Sequence, residues 1–390
     1  MDITITPHKL SGSITPPPSK SQAHRALIAA ALAGGTSRID NLADSQDIRA
    51  TRRCMEALKA GGPSLPLLDC GESGSTLRFL IPVALALRGG ADFTGSGRLL
   101  ERPLAPYHSA FQAQGISMEF GAETPKTLRV SGVLKPGVFA FPGDVSSQFI
   151  TGMLYALPLL PGDSKIMLTT ELESRGYVDM TLDVLDRFGI RVDCPDGRTF
   201  HVPGNQTYRP HHMAVESDYS QAAFYYAANG LGSRVDIRGL DPASRQGDKV
   251  IVPYYENLCG PGELSLDVSQ CPDLVPALAV HAALRAGEIT HITNAARLRI
   301  KESDRLDTVT TQLCQLGAHI EQSPDALTIS GVDHLTGGVV DGCNDHRIAM
   351  MLAVAATRAE GPVTIRGAQC VAKSYPNFWE DYQSLGGMFQ

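Results

Sequence analysis

The stretch Leu298-Arg-Ile-Lys-Glu-Ser-Asp-Arg-Leu-Asp-Thr-Val-Thr-Thr-Gln-Leu-Cys-Gln-Leu-Gly317 holds the plan of the chain in miniature. Charges of both signs crowd its first part, and apolar periodicity begins only afterwards, at Leu306, Val309, Leu313 and Leu316. That spacing is helical, so Ser303 or Asp304 reads as the N-cap, and Lys301 and Glu302 fall in the loop entering the helix. Gly317 suits the left-handed residue that ends a helix. A loop feeding a helix N-terminus is a place where anions bind and protons are exchanged.

Working outward, the same ending recurs. A helix-like stretch closes on an apolar or small residue followed by glycine at Gly61, Gly115, Gly189, Gly260, Gly317 and Gly386. The spacing averages (386 − 61)/5 = 65 residues, so six copies fill the 390-residue chain. Each copy has room for a few strands and two helices, which predicts three units in each of two α/β domains, not a solenoid.

Four segments share the design of the opening stretch, with small polar residues and a basic or amide side chain ahead of an apolar helix. They are Lys20, Ser21 and Arg25 before Ala26–Leu32; Gly71 to Arg78, including Gly74, before Phe79–Leu87; Ser146-Ser147-Gln148 before Phe149–Leu154; and Asn344-Asp345-His346-Arg347 before Ile348–Ala356. Glycine lets backbone N–H groups approach a phosphate closely, and arginine can grip phosphate or carboxylate with two parallel bonds. With Lys301, Arg102 and Lys373 added, the inventory fits a ligand carrying several negative groups. Glu302 and Asp273 are then acids in a cationic setting, the kind of group that transfers protons.

Composition narrows the classes further. A formal charge of −7 argues against nucleic acid or an anionic membrane as main partner, since both demand a positive footprint. The run Phe79–Leu87 is too short to span a bilayer, and the N-terminus shows no basic region followed by an apolar one, so the expected location is cytoplasmic. Eight cysteines show no Cys-x-x-Cys pair and are expected to be small buried filler. No nucleotide P-loop, nucleophile elbow or zinc motif is present, and His211-His212 beside proline reads as surface, so no metal is expected.

In this order the segments resemble the 5-enolpyruvylshikimate-3-phosphate synthase family, also called 3-phosphoshikimate 1-carboxyvinyltransferases. The likeness is carried by Pro-Ser-Lys-Ser-x-x-x-Arg, Gly-Ser-Thr-x-Arg, Glu-Arg-Pro, Ser-Ser-Gln-Phe, Lys-Glu-Ser-Asp-Arg, Asn-Asp-His-Arg and Ala-Lys-Ser-Tyr-Pro, from Lys20 to Lys373. It implies an α/β fold of two domains, each of three βαβαββ repeats, the inside-out α/β barrel of enolpyruvyl transferases. The first domain would comprise 1–18 and 217–390, the second 19–216, with crossovers near Pro18 and Glu216 and the active site in the cleft between them.

The resemblance also implies transfer of the enolpyruvyl group of phosphoenolpyruvate to the 5-hydroxyl of shikimate 3-phosphate, with release of phosphate and without cofactor. Shikimate 3-phosphate would be held by Lys20, Ser21, Arg25, Ser146, Ser147, Gln148, Ser174, Tyr177, Asp273 and Lys301. Phosphoenolpyruvate would lie among Lys20, Gly74, Arg102, Gln148, Lys301, Arg305, Arg347 and Lys373. Glu302 would protonate the methylene carbon, Asp273 would take the hydroxyl proton, and Lys20 would assist the departing phosphate. Glu72 stands where the family motif has asparagine, and a carboxylate beside an anion site must turn away, pair with a cation or be protonated. Phe79 stands where many members carry proline. The sister transferase acting on UDP-N-acetylglucosamine places a cysteine where this chain has Gly97, five residues before Arg102-Pro103, and asparagine where it has Ser21. A non-catalytic trap for a phosphorylated metabolite would gain nothing from Glu302 and Asp273. A monomer is expected, because no heptad or apolar strip is readable.

Each half, read this way, carries an excess of positive charge, so shikimate 3-phosphate should draw the halves together. Small-angle scattering should show a more compact particle with that ligand than without it, and superimposable profiles would refute the idea.

Overall fold

The computed structural model describes residues 1–121 and 126–390. The chain forms two compact units, Met1–Ser19 with Glu216–Gln390, and Lys20–Val215. It crosses from one to the other after Ser19 and again after Val215. In the first unit the two crossing segments lie side by side, with Ser19 N donating to Glu216 O at 2.7 Å and Asp218 N to Pro17 O at 2.9 Å.

The unit Lys20–Val215 opens with three helices, α1 (Lys20–Leu32), α2 (Gln46–Lys59) and α3 (Gly74–Arg88). Strands Leu67–Asp69 and Gly90–Thr94 pair in parallel, and α3 makes the crossover between them. Strands Thr127–Ser131 and Ser117–Phe120 extend that sheet antiparallel. Val138–Phe141 and Ser164–Leu168 form a second parallel pair around the helix Ser147–Ala156, with Thr199–Val202 alongside. A third parallel pair joins Arg38–Asp40 to His212–Ala214.

The other unit repeats the scheme. Leu264–Asp267 pairs with Ile289–Thr293 around the helix Val275–Ala283, and Gly338–Asp341 with Val363–Arg366 around the helix His346–Ala356. Ser11–Ile14 pairs with Arg234–Ile237. Ile3–Thr6 lies between Val363–Arg366 and Met388–Phe389, so both chain ends close one sheet. Two sets of three parallel-paired sheets are the α/β architecture of three repeats per domain.

The layering is inverted relative to most α/β proteins. Along Thr127–Ser131, Leu128 and Val130 are buried and Arg129 is exposed, so the sheet has one face on the core and one in water. The crossover helices instead are apolar all round: every residue of Val275–Ala283 and of His346–Ala356 is buried, as is the run Thr76–Leu85 of α3 apart from its flanks. A helix without a polar stripe can be satisfied only inside.

Of the six helix-ending glycines, five adopt the expected left-handed backbone, with φ between 71° and 94°. Gly260 does not: it has φ −82° and ψ 163°. Pro261 follows it, and the residue before proline is pushed to the extended region, so the left-handed turn passes to Gly262 at φ 99°. The cysteines are also more varied than expected. All eight are free, but only Cys54, Cys70, Cys271 and Cys370 are buried, while Cys259 and Cys314 are exposed at helix ends.

Gly90 opens a strand at φ 137°, and a Cβ there would run into the carbonyl of Val130 on the neighbouring strand. Gly90→Ala should cost about 2 to 4 kcal/mol through strain and clash together, read as a lower urea midpoint with an unchanged slope. A midpoint within error of the parent would contradict this geometry.

Candidate functional site

In every predicted cradle the helix begins earlier than apolar periodicity indicates. α1 starts at Lys20, α3 at Gly74, and the later helices at Ser147 and His346. The polar residues expected in entering loops therefore occupy first turns, where the backbone N–H groups have no partner within the helix. Ser73 caps α3 by accepting from Thr76 N at 3.2 Å, Ser146 accepts from Gln148 N at 3.3 Å, and Asp345 accepts from Arg347 N at 3.0 Å. Of the alternatives Ser303 and Asp304, Asp304 is the cap of Arg305–Gln315.

In the unit Lys20–Val215, Lys20 pairs with Asp47 at 2.8 Å. Arg25 is 2% exposed. Its Nε donates to Thr181 Oγ1 at 2.8 Å, one terminal nitrogen to Ser21 O at 2.7 Å, and the other to Thr151 Oγ1 at 3.4 Å. The guanidinium sits over Phe79 and beside Tyr177, its carbon 5.1 and 6.0 Å from the ring centres. Every one of these partners is neutral, and burial lowers its pKa from 12.5 to about 10. A buried cation without a carboxylate is costly unless an anion arrives.

Close by in that unit, Gln148 bridges two helices, accepting from Arg78 at 2.7 Å and donating to Ser75 Oγ at 3.0 Å. Gly74 lies against the guanidinium of Arg102, where even a methyl group would collide with it. Ser174 is the left-handed residue (φ 56°) ahead of the helix Arg175–Arg187, whose first turn carries Tyr177. The carboxylate of Glu72 lies over Gly97, 2.6 Å from where a Cβ would stand.

In the unit closed by both chain ends, Arg305 is the hub. Only 1% of its side chain is exposed, and it reaches three carboxylates: Asp345 at 2.8 Å, Asp273 at 2.9 Å and Glu302 at 2.7 Å. Asp273 also pairs with Lys301 at 3.3 Å and Arg347 at 3.1 Å. Burial alone would raise the Asp273 carboxyl, but Arg347, Lys301 and Arg305 outweigh it and hold it well below the usual range. Burial lowers Lys301, with Asp273 working against the shift. Lys373 donates to Asn344 O at 2.5 Å. Lys301, Arg305 and Arg347 are thus matched by Asp273, Glu302 and Asp345, which leaves Lys373 as the fourth cation of the cluster and cancels much of the positive excess expected for this half.

The expected residues therefore gather into two clusters, one per unit. Sequence reasoning missed Asp47, Arg78, Thr151 and Thr181, and it gave Asp345 no role. Asp345 and Arg78 stood inside the Asn-Asp-His-Arg and Gly-Ser-Thr-x-Arg motifs, which were the available signals; Asp47, Thr151 and Thr181 are recognisable only once the helices pack. His212 is exposed, and among the described residues no group of histidine, cysteine and carboxylate side chains could hold a metal. No helix among them is long and apolar enough to cross a membrane.

A model of the EPSP synthase (3-phosphoshikimate 1-carboxyvinyltransferase) family matches residues 5–65, 61–258 and 261–382. The chain is 45% identical to a 3-phosphoshikimate 1-carboxyvinyltransferase of Clostridium perfringens, covering 100% of this chain and 99% of the relative. It is 46% identical to that of Clostridium kluyveri, covering 99% and 97%. Among solved structures, an EPSP synthase from Acinetobacter baumannii superimposes with a TM-score of 0.80 at 24% identity, covering 100% of this chain and 99% of that one.

The Asp273 carboxyl, lower in the folded than in the unfolded chain, contributes stability at every pH above about 4 and loses it as pH falls through the depressed folded value. Asp273→Asn removes the carboxylate that Lys301 and Arg347 share with Arg305, which keeps Glu302 and Asp345, and should cost about 3 kcal/mol. The stability gap between parent and variant, from denaturant melts, should stay constant above about pH 5 and narrow only below about pH 4. A gap that varies near neutrality would show that another group dominates.

Proposed function

Because the chain belongs to the EPSP synthase family, whose reaction it catalyses, we propose that the two clusters hold and activate the two substrates of that reaction. The enolpyruvyl group of phosphoenolpyruvate passes to the 5-hydroxyl of shikimate 3-phosphate, giving 5-enolpyruvylshikimate 3-phosphate and phosphate. The observation that carries the assignment is Arg25, a buried guanidinium with only neutral partners. The phosphate of shikimate 3-phosphate supplies the missing charge, with Ser21, Ser146, Ser147, Ser174 and Tyr177 around the same ligand. Gln148, already bridging Arg78 and Ser75, contacts both substrates. Lys20, Gly74, Arg102, Lys301, Arg305, Arg347 and Lys373 serve phosphoenolpyruvate.

Glu302 and Asp273 share one guanidinium, that of Arg305, which fixes their separation. Glu302 delivers a proton to the methylene carbon. The 5-hydroxyl oxygen then attacks the adjacent carbon, and Asp273 accepts its proton. The product of this addition is a tetrahedral ketal phosphate. In elimination Glu302 takes a methyl proton back, the carbon–oxygen bond to phosphate breaks with Lys20 assisting the leaving group, and the proton held by Asp273 is given up to the released phosphate or to solvent. Fixed cations stabilise the charge developing in both steps.

Asp273 also has a route to becoming a base. Lys301, Arg305 and Arg347 hold it ionised and weakly basic. The same three side chains serve phosphoenolpyruvate. When that substrate's carboxylate and phosphate take up part of their charge, the hold on Asp273 relaxes and its basicity rises when a hydroxyl is there to be deprotonated.

The protein acts as a cytoplasmic monomer in this reading, and size-exclusion chromatography with light scattering checks the latter. Phosphate release from phosphoenolpyruvate is the direct test of the reaction. It should occur with shikimate 3-phosphate and not with UDP-N-acetylglucosamine or without acceptor; release only with the nucleotide sugar would move the chain to the sister activity. Glu302→Gln should abolish turnover and keep shikimate 3-phosphate affinity within about an order of magnitude, since a proton-transfer group is felt in the transition state. A large loss of binding would assign Glu302 to the ligand rather than to proton transfer.

A further inference from the structure

α1 and α2 are joined by two polar rungs one helical turn apart. Lys20 meets Asp47, and four residues on, His24 Nδ1 lies 2.7 Å from Thr51 Oγ1. From Thr51 the contacts continue to Thr76 Oγ1 at 2.6 Å and from there to Ser73 Oγ at 2.7 Å. Ser73 Oγ is also the acceptor that caps α3. His24, Thr51, Thr76 and Ser73 are each no more than 1% exposed, so water does not complete the chain from outside.

Each hydroxyl has one proton to give, which sets the direction. Thr76 donates to Ser73, so Thr76 accepts from Thr51. Thr51, its proton spent, accepts from His24, and the imidazole must carry its hydrogen on Nδ1. Nε2 is then a bare acceptor, and it is buried with no hydrogen-bond partner among the described residues. A second proton there would find nothing to bond, and burial, then Lys20 and Arg25, hold the ring well below the ordinary histidine pKa.

We infer that His24 is a positioning residue for phosphoenolpyruvate: as the neutral Nδ1–H tautomer it drives a one-way chain of hydroxyl hydrogen bonds that fixes the cap of α3. Gly74 and Ser75 follow that cap directly, and Ser75 is the residue Gln148 grips. The orientation of Ser73 therefore sets the first amides of α3, the helix end that serves phosphoenolpyruvate in the proposed function, and the inference rests on that reading. Reversal of one bond alone would ask one hydroxyl for two protons, and reversal of the whole chain would turn the unpartnered Nε2 from a bare acceptor into a buried N–H donor with nothing to bond.

The test compares three substitutions with a measurement on the parent. Asparagine places an amide nitrogen at the reach of Nδ1, glutamine at the reach of Nε2, and leucine offers neither. His24→Leu and His24→Gln should raise KM for phosphoenolpyruvate about tenfold, the scale of one lost helix cap, with a smaller change in kcat. Both should keep shikimate 3-phosphate affinity within about threefold, because Arg25 retains its own partners. His24→Asn should stay within about threefold of the parent in every constant. Nitrogen-15 NMR of the parent protein, which requires no variant to fold, should show the proton on Nδ1.

A proton on Nε2 would overturn the inference, as would equal KM effects from all three substitutions or a silent His24→Leu. Arg102→Gln separates the two levels. If it raises KM for phosphoenolpyruvate while His24→Leu does not, only the role of His24 falls; if Arg102→Gln is silent, the placement of phosphoenolpyruvate at α3 falls with it.

Discussion

A helix enclosed on every side can keep polar groups only at its ends, and that constraint orders this molecule. The chain buries its crossover helices whole and turns its sheets outward. The middles of the helices Val275–Ala283 and His346–Ala356 are then alanine, leucine, valine and methionine. The N-terminus of each still presents N–H groups that need acceptors, together with the positive end of the dipole. Serine and aspartate caps answer the first need, and anionic ligands can answer the second. One motif design thus recurs because one burial problem recurs.

The two clusters solve the problem of buried charge differently. Around Arg305 the charges balance internally, with cations and carboxylates matched inside one unit. Arg25 is left open, supported by hydroxyls and a carbonyl that orient it without neutralising it. The first arrangement is held by its own ion pairs, as suits the proton transfer proposed for Glu302 and Asp273. The second stores an unmet electrostatic demand, as suits recognition of a phosphate.

How much of this was legible in the sequence depended on range. Helix stops were readable because glycine in the left-handed region is a local matter, and the one failure, Gly260, was local as well: its neighbour Pro261 overrode it. Helix starts were placed late, because Lys20, Gly74, Ser147 and His346 are polar or small and do not join the apolar period, although they are helical. Residues in the family-like motifs did collect into clusters. Asp47, Thr51, Thr151 and Thr181 stayed invisible, since a threonine buried between helices has no signature of its own until those helices pack. The exposed Cys259 and Cys314 show the same limit from the other side, because nothing in their neighbourhood marks a helix end as solvent-facing.

Glu72 and Gly97 lie on different segments, yet they occupy one volume. The backbone of Gly97 is left-handed at φ 57°, and the carboxylate of Glu72 fills the place its side chain would take. Two separate constraints therefore meet at position 97. A side chain gained there would have to push the flexible carboxylate of Glu72 aside, and it would carry the strain of a left-handed backbone even if residue 72 were shortened first. Shortening 72 removes the lesser obstacle, so the backbone of this loop, more than its neighbour's side chain, keeps glycine at 97.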